Sequence, residues 1–267
     1  MRSPGNGGRQ PAPGAALAPF SSGTAAVIFG AALVLALFVF HAVPAIDRAV
    51  SGLFFATAAC AGGEPAGTVC GDFPARHVAA LGALRQFLQH LPAAVAAGLG
   101  AAYAVRLATG TPARDPSMTP VATALIAYLL SVGLLVNGVL KAYSGRPRPL
   151  QSDLFAGTLP FVPAGDFTDY CASNCSFVSG EAAAAAWLIA AVSLLPPRYG
   201  ALRMPAFAAV TAYAAATGML RISFGAHYLS DIVVAALATL LIFAILAGLE
   251  ARLGRTAGAS AAAGRSA

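Results

Sequence analysis

Three short segments concentrate residues able to handle a phosphate. The first is Lys141-Ala-Tyr-Ser-Gly-Arg146-Pro-Arg148-Pro149. Its cations are packed closely and stiffened by two prolines. Convergent donors of this kind suit a phosphate, because arginine offers a planar fork and lysine a point charge. Lys141 is also the only lysine among the 16 basic residues. The competing reading is a basic anchor whose side chains snorkel to a membrane surface.

The second segment is Cys175-Ser-Phe-Val-Ser179-Gly180-Glu181, which leads into an apolar run. A Ser-Gly at a helix start exposes backbone N–H groups and the positive end of the helix dipole, which favours an anion. An ordinary serine N-cap would look the same. The third is Arg221-Ile-Ser-Phe-Gly-Ala-His227-Tyr-Leu-Ser-Asp231. His227 and Asp231 are four residues apart, so a helix places them on one face. A carboxylate beside an imidazole fixes its tautomer and leaves the other nitrogen free to attack or to accept a proton.

The elements that position these segments are read from composition. Hydrophobic residues make up 58% of the 267 and charged residues 10%, with mean hydropathy +0.74. A soluble domain carries about 25% charged residues. That excludes a soluble enzyme, a disordered chain and a nucleic-acid binder of the usual kind. The net charge of +6 is then read first as a membrane topology signal.

Apolar stretches near 24–43, 91–109, 120–140, 180–196, 205–220 and 231–249 predict an all-α bundle of six transmembrane helices. The first is longer than a signal-peptide core. Ala- and Gly-rich spans suit close packing within a bundle. The expected domain is 23–250, between disordered cytoplasmic tails at 1–22 and 251–267. An even span count puts both termini on one side. That side has a small excess of arginine, and its only acids are Asp115 and Glu250, so it reads as cytoplasmic.

All four cysteines then fall in outer loops, as disulfides in an oxidising compartment would. Pairing within each loop, Cys60–Cys70 and Cys171–Cys175, is the simplest arrangement, and connectivity stays open in the sequence. No histidine neighbours the second pair, which argues against zinc. An amphipathic stretch, Ile46–Ala56, would lie on the membrane surface. The outer loop at about 44–90 is the expected specificity element.

Taken together, the three segments resemble the type 2 phosphatidic acid phosphatase superfamily, over roughly residues 120–245. That family's pattern is Lys, six residues, Arg-Pro; then Pro-Ser-Gly-His; then Ser-Arg, five residues, His, three residues, Asp. Lys141 with Arg148-Pro149 matches, and so does Arg221 with His227 and Asp231. Two positions depart: Val178-Ser179-Gly180-Glu181 replaces Pro-Ser-Gly-His, and Leu220 replaces the serine before Arg221.

The resemblance implies a lipid phosphatase working at the outer, periplasmic face of a bacterial inner membrane, with no metal and no cofactor. It implies His227 as nucleophile forming a phosphohistidine and Asp231 as its orienting group. Lys141, Arg148, Arg221, Ser179 and Gly180 would bind the phosphoryl oxygens. The family histidine that protonates the leaving group is Glu181 here, so Glu181 or a water would supply that proton. The expected partners are the bilayer and a membrane lipid phosphate, with lipid A or undecaprenyl diphosphate foremost and phosphatidylglycerophosphate or phosphatidate behind. Two rival functions use the same residues: a lipid phosphotransferase, and a non-catalytic lipid-phosphate binder or transporter.

Overall fold

The computed structural model describes residues 17–263 apart from Glu64 and Ala66. Helix α1 spans Gly23–Ala42, with the Ser22 side chain accepting from Ala25 N at its start. After Pro44 a short helix, α2, covers Ala45–Gly52. A two-stranded antiparallel ribbon follows, β1 (Ala56–Thr57) with β2 (Gly71–Asp72). The Cys60–Cys70 disulfide closes the loop between its strands. Helix α3 is Ala79–Ala108. Helix α4 is Thr119–Tyr143, widened to π-helical turns over Leu129–Leu140. Helix α5 is Gly180–Ala191, α6 is Gly200–Ser223 and α7 is Leu229–Ala263.

Helix α7 packs along α1, α5 and α4, while α5 also packs on α6 and α3. Helix α5 is alanine-rich and nearly all buried, since small side chains let neighbouring backbones approach. Trp187 fills the space beside it and donates from Nε1 to Ala124 O at 2.8 Å. The outward surfaces carry Val27, Val34, Phe38, Phe87, Leu134 and Leu253. So much apolar surface turned outward suits contact with lipid tails.

Four helices are long and apolar enough to cross a membrane: Gly23–Ala42, Ala79–Ala108, Thr119–Tyr143 and Leu229–Thr256. The apolar segment Gly180–Leu194 is shorter, and α6 carries Arg203 and Arg221. Helices therefore stand at all six expected spans, of which four meet the length and composition needed.

Three boundaries differ from expectation. Leu17 and Phe20, expected in a disordered tail, pack into the core beside Phe243 and Trp187. Residues 1–16 lie outside the described residues, as do 264–267. The final helix runs past 250 to Ala263, so 251–263 is helical. Helix α3 begins at Ala79 rather than near 91, adding three turns to its start. The amphipathic stretch after α1 forms α2, but its Asp47 is fully buried.

Candidate active site

The segment after α4 turns at Gly145, whose φ is +64°. A Cβ there would overlap the Thr168 carbonyl, so only glycine lets the chain reverse this close to its neighbour. The reversal drives Arg146 inward, where it has no exposure. Its Nη1 donates to Asp231 Oδ1 at 2.6 Å and to Ser230 Oγ at 2.8 Å. Its Nη2 donates to Asp47 Oδ2 at 2.8 Å and its Nε to Val162 O at 2.9 Å. The guanidinium carbon also lies 4.3 Å from the Tyr228 ring centroid. Burial opposes the Arg146 charge, but Asp231 and Asp47 outweigh it and raise its pKa. Asp47, buried beside them, is pushed up by desolvation despite the arginine.

Asp231 accepts further bonds from Ser176 Oγ at 2.5 Å and Tyr228 N at 2.9 Å. His227 sits on the turn between α6 and α7, made by Gly225 with φ +61°. A side chain at Gly225 would strike the Phe73 ring. His227 Nδ1 lies 2.8 Å from Ser176 O and 3.6 Å from Asp231 Oδ2. A carbonyl only accepts, so Nδ1 carries the hydrogen and Nε2 keeps its lone pair. Burial lowers the His227 pKa to about 4, aided by Arg221 and Lys141 and opposed by Asp231. The imidazole is therefore neutral at physiological pH. Ser176 thus joins the pair, its hydroxyl holding Asp231 and its carbonyl holding His227.

The expected phosphate ligands come together around this histidine. Lys141, Arg148 and Arg221 lie within coulombic reach of one another. Asn174, in the loop closed by the Cys171–Cys175 disulfide, meets two of them. Lys141 Nζ donates to its Oδ1 at 3.5 Å and Arg148 Nη2 to its carbonyl at 2.9 Å. Ser179 caps α5, its Oγ accepting from Ala182 N at 3.3 Å and its N–H bonding to Asp231 O at 3.2 Å. Gly180 follows, with Asn137 so close that a Cβ would lie 3.1 Å from its Oδ1.

Glu181 is engaged by two arginines. Arg85 donates to its Oε1 from Nη2 at 2.7 Å and from Nε at 3.2 Å, and Arg221 Nε lies 3.5 Å from the same oxygen. Its Oε2 is buried with no protein partner. Among the described residues, no three His, Cys, Asp or Glu side chains gather to hold a metal ion.

Sequence reasoning missed Asp47, Arg85, Asn174, Ser176 and Ser230, and read Arg146 only as one cation of a cluster. The signal for Asp47 was an acid on an otherwise surface-seeking amphipathic stretch. Arg85 carries no comparable mark, because it lies ahead of the apolar run that signals its helix.

Residues 121–254 match the model of the PAP2 superfamily, the type 2 phosphatidic acid phosphatases. A lipid A 4'-phosphatase of Rhizobium leguminosarum is 44% identical over 80% of this chain and 91% of its own length. A lipid A 4'-phosphatase of Rhizobium etli is 41% identical over 83% of this chain and 88% of its own. The fold is also similar to a solved structure, a transmembrane PAP2-type phosphatidylglycerolphosphate phosphatase of Bacillus subtilis. That similarity has a TM-score of 0.50 and 19% identity, covering 84% of this chain and 94% of the other. With the family model spanning half the chain and relatives this similar over most of their length, the chain belongs to the PAP2 superfamily and is a membrane lipid phosphatase.

Proposed function

We propose that this protein removes a phosphate from lipid A through a phosphohistidine on His227. The observation that carries the mechanism is the buried, neutral imidazole held through Nδ1 at 2.8 Å by Ser176 O. The names of the relatives, at 44% and 41% identity, favour lipid A over undecaprenyl diphosphate.

In the first step His227 Nε2 bonds to phosphorus while the bond from phosphorus to the sugar oxygen breaks. Lys141, Arg148 and Arg221 neutralise the phosphoryl oxygens, with the Ser179 hydroxyl and the Gly180 N–H beside them. The leaving oxygen takes its proton from a water, because Glu181 is ion-paired with Arg85 and Arg221. In the second step water attacks phosphorus, the N–P bond breaks, and inorganic phosphate departs with the histidine restored. Asp231 stabilises the ring through Ser176 and from 3.6 Å.

Six crossings with the site at the periplasmic face of the inner membrane suit this role. The two disulfides support an oxidising compartment on that side. Purified protein should release inorganic phosphate from lipid A and form an acid-labile, alkali-stable phosphoenzyme. His227→Ala should do neither. Phosphate release by His227→Ala at the native rate would overturn the nucleophile assignment. Appearance of a newly phosphorylated lipid in place of free phosphate would identify a phosphotransferase.

A further inference from the structure

We infer that Arg85 is a fourth cation of the phosphate site, held in place by Glu181 and selecting a phosphomonoester dianion. The inference rests on the phosphatase reading above and adds a residue that the three sequence segments do not contain. Arg85 belongs to the early turns of α3, the part of that helix lying ahead of its expected start. Two of its nitrogens converge on Glu181 Oε1, at 2.7 and 3.2 Å. The same oxygen faces Arg221 Nε at 3.5 Å. One carboxylate oxygen therefore sets the positions of two guanidiniums that come from different helices.

Charge explains why the carboxylate is needed. Arg85 lies within coulombic reach of Lys141, Arg148 and Arg221. Four like charges repel at such range, and a single counter-ion relieves part of that repulsion. These four cations and Glu181 carry a net charge of +3, which the adjoining Arg146, Asp231 and Asp47 reduce to +2. A phosphomonoester carries about −2 near neutral pH, and a diester about half that. The surplus favours the dianion. The Arg85 side chain is 28% exposed and that of Glu181 17%, so Arg85 is the more open member of the pair. Its Nη1 makes neither bond to Glu181 and is the nitrogen assigned to a phosphoryl oxygen. The Arg221 Nε and Glu181 Oε2 atoms are buried without hydrogen-bond partners, which marks this corner as polar space built for more than the protein's own groups. Placing a glutamate where the family pattern has histidine then goes together with an arginine on α3.

The test compares the native enzyme with Arg85→Ala, Arg85→Lys and Glu181→Gln. Four quantities are read: KM and kcat on lipid A, the inhibition constant of inorganic phosphate, and the shift phosphate gives to the unfolding temperature. Each enzyme is also assayed on an aryl phosphate, whose leaving group needs no proton. Arg85→Ala should raise KM and the phosphate inhibition constant by about tenfold to a hundredfold, the range for losing a bond to a charged group. The KM increase should be equal for both substrates, most of the phosphate-induced shift should be lost, and Arg85→Lys should recover part of each. Unchanged KM, inhibition constant and thermal shift in Arg85→Ala would overturn the inference. A loss seen with lipid A but absent with the aryl phosphate would also overturn it, placing Arg85 in proton delivery through Glu181. The thermal shift is read without turnover. A His227→Ala enzyme that still hydrolyses lipid A therefore refutes the phosphohistidine and leaves the Arg85 result legible.

Discussion

The Arg146 guanidinium lies 2.6 Å from Asp231, and neither side chain has any exposure to solvent. With Asp47 on its other side at 2.8 Å, it forms a closed charge set drawn from α2, the turn after α4, and α7. Removing Arg146 would leave two buried carboxylates without their counter-ion. Arg146→Ala should cost about 3–5 kcal/mol, measured by thermal or denaturant unfolding in detergent. Arg146→Lys should recover only part, because a point charge does not reproduce the fork.

Asp47 acts at a distance from the chemistry. Asp47→Asn keeps the shape but removes a charge, so Arg146 should turn more fully to Asp231. The expected result is lower stability with KM nearly unchanged. A large KM increase would show that α2 touches substrate directly.

The Ser176 hydroxyl can be removed without touching the carbonyl that holds His227. Ser176→Ala takes one donor from the buried Asp231 and should cost about 1–3 kcal/mol. It should lower kcat more than it raises KM, because the group it disturbs stabilises the imidazole during attack. Steady-state kinetics on lipid A would separate the two.

The His227 pKa of about 4, against an ordinary 6.5, has a definite sign. The unfolded chain binds the proton first, so protonation favours unfolding. The histidine leaves stability unaffected above about pH 6.5 and reduces it progressively as pH falls toward 4. His227→Gln should flatten that part of the curve of stability against pH. In the native enzyme, phosphoenzyme formation should lose its nucleophile only near pH 4, visible by rapid quench.

The Cys171–Cys175 loop holds Asn174 against Lys141 and Arg148. Paired Cys171→Ser and Cys175→Ser changes should loosen that support and raise KM by about tenfold, the scale of one bond to a charged group. The rate at saturating substrate should change less.

The parts of the site that were legible in the sequence lie within single segments. Lys141 and Arg148 flank one turn, and His227 and Asp231 share one helix face, so their spacing carries the geometry. The two disulfides follow the simplest pairing, each joining near neighbours in one loop, though spacing alone left their connectivity open. The supporting residues were not legible, because each acts across elements. Asp47 bonds Ser230 N across 183 residues, and Arg85 meets Glu181 across 96. Spacing along the chain says nothing about such pairs. The start of α3 was missed for a related reason: Arg85 and its polar neighbours Gln86, Gln89 and His90 interrupt the apolar pattern, though the helix continues through them. Arg146 was visible as a cation, but the tight turn at Gly145 that sends it inward was not.

Phe73, three residues beyond Cys70, covers the Gly225 turn that carries His227. It also meets Phe55 and Phe155, with ring centroids 5.4 and 5.7 Å away. The nucleophile's turn is thus buttressed by the end of a disulfide-closed ribbon made much earlier in the chain. A chain lacking the Cys60–Cys70 bond would keep every residue of the site and lose stiffness in the wall behind its nucleophile.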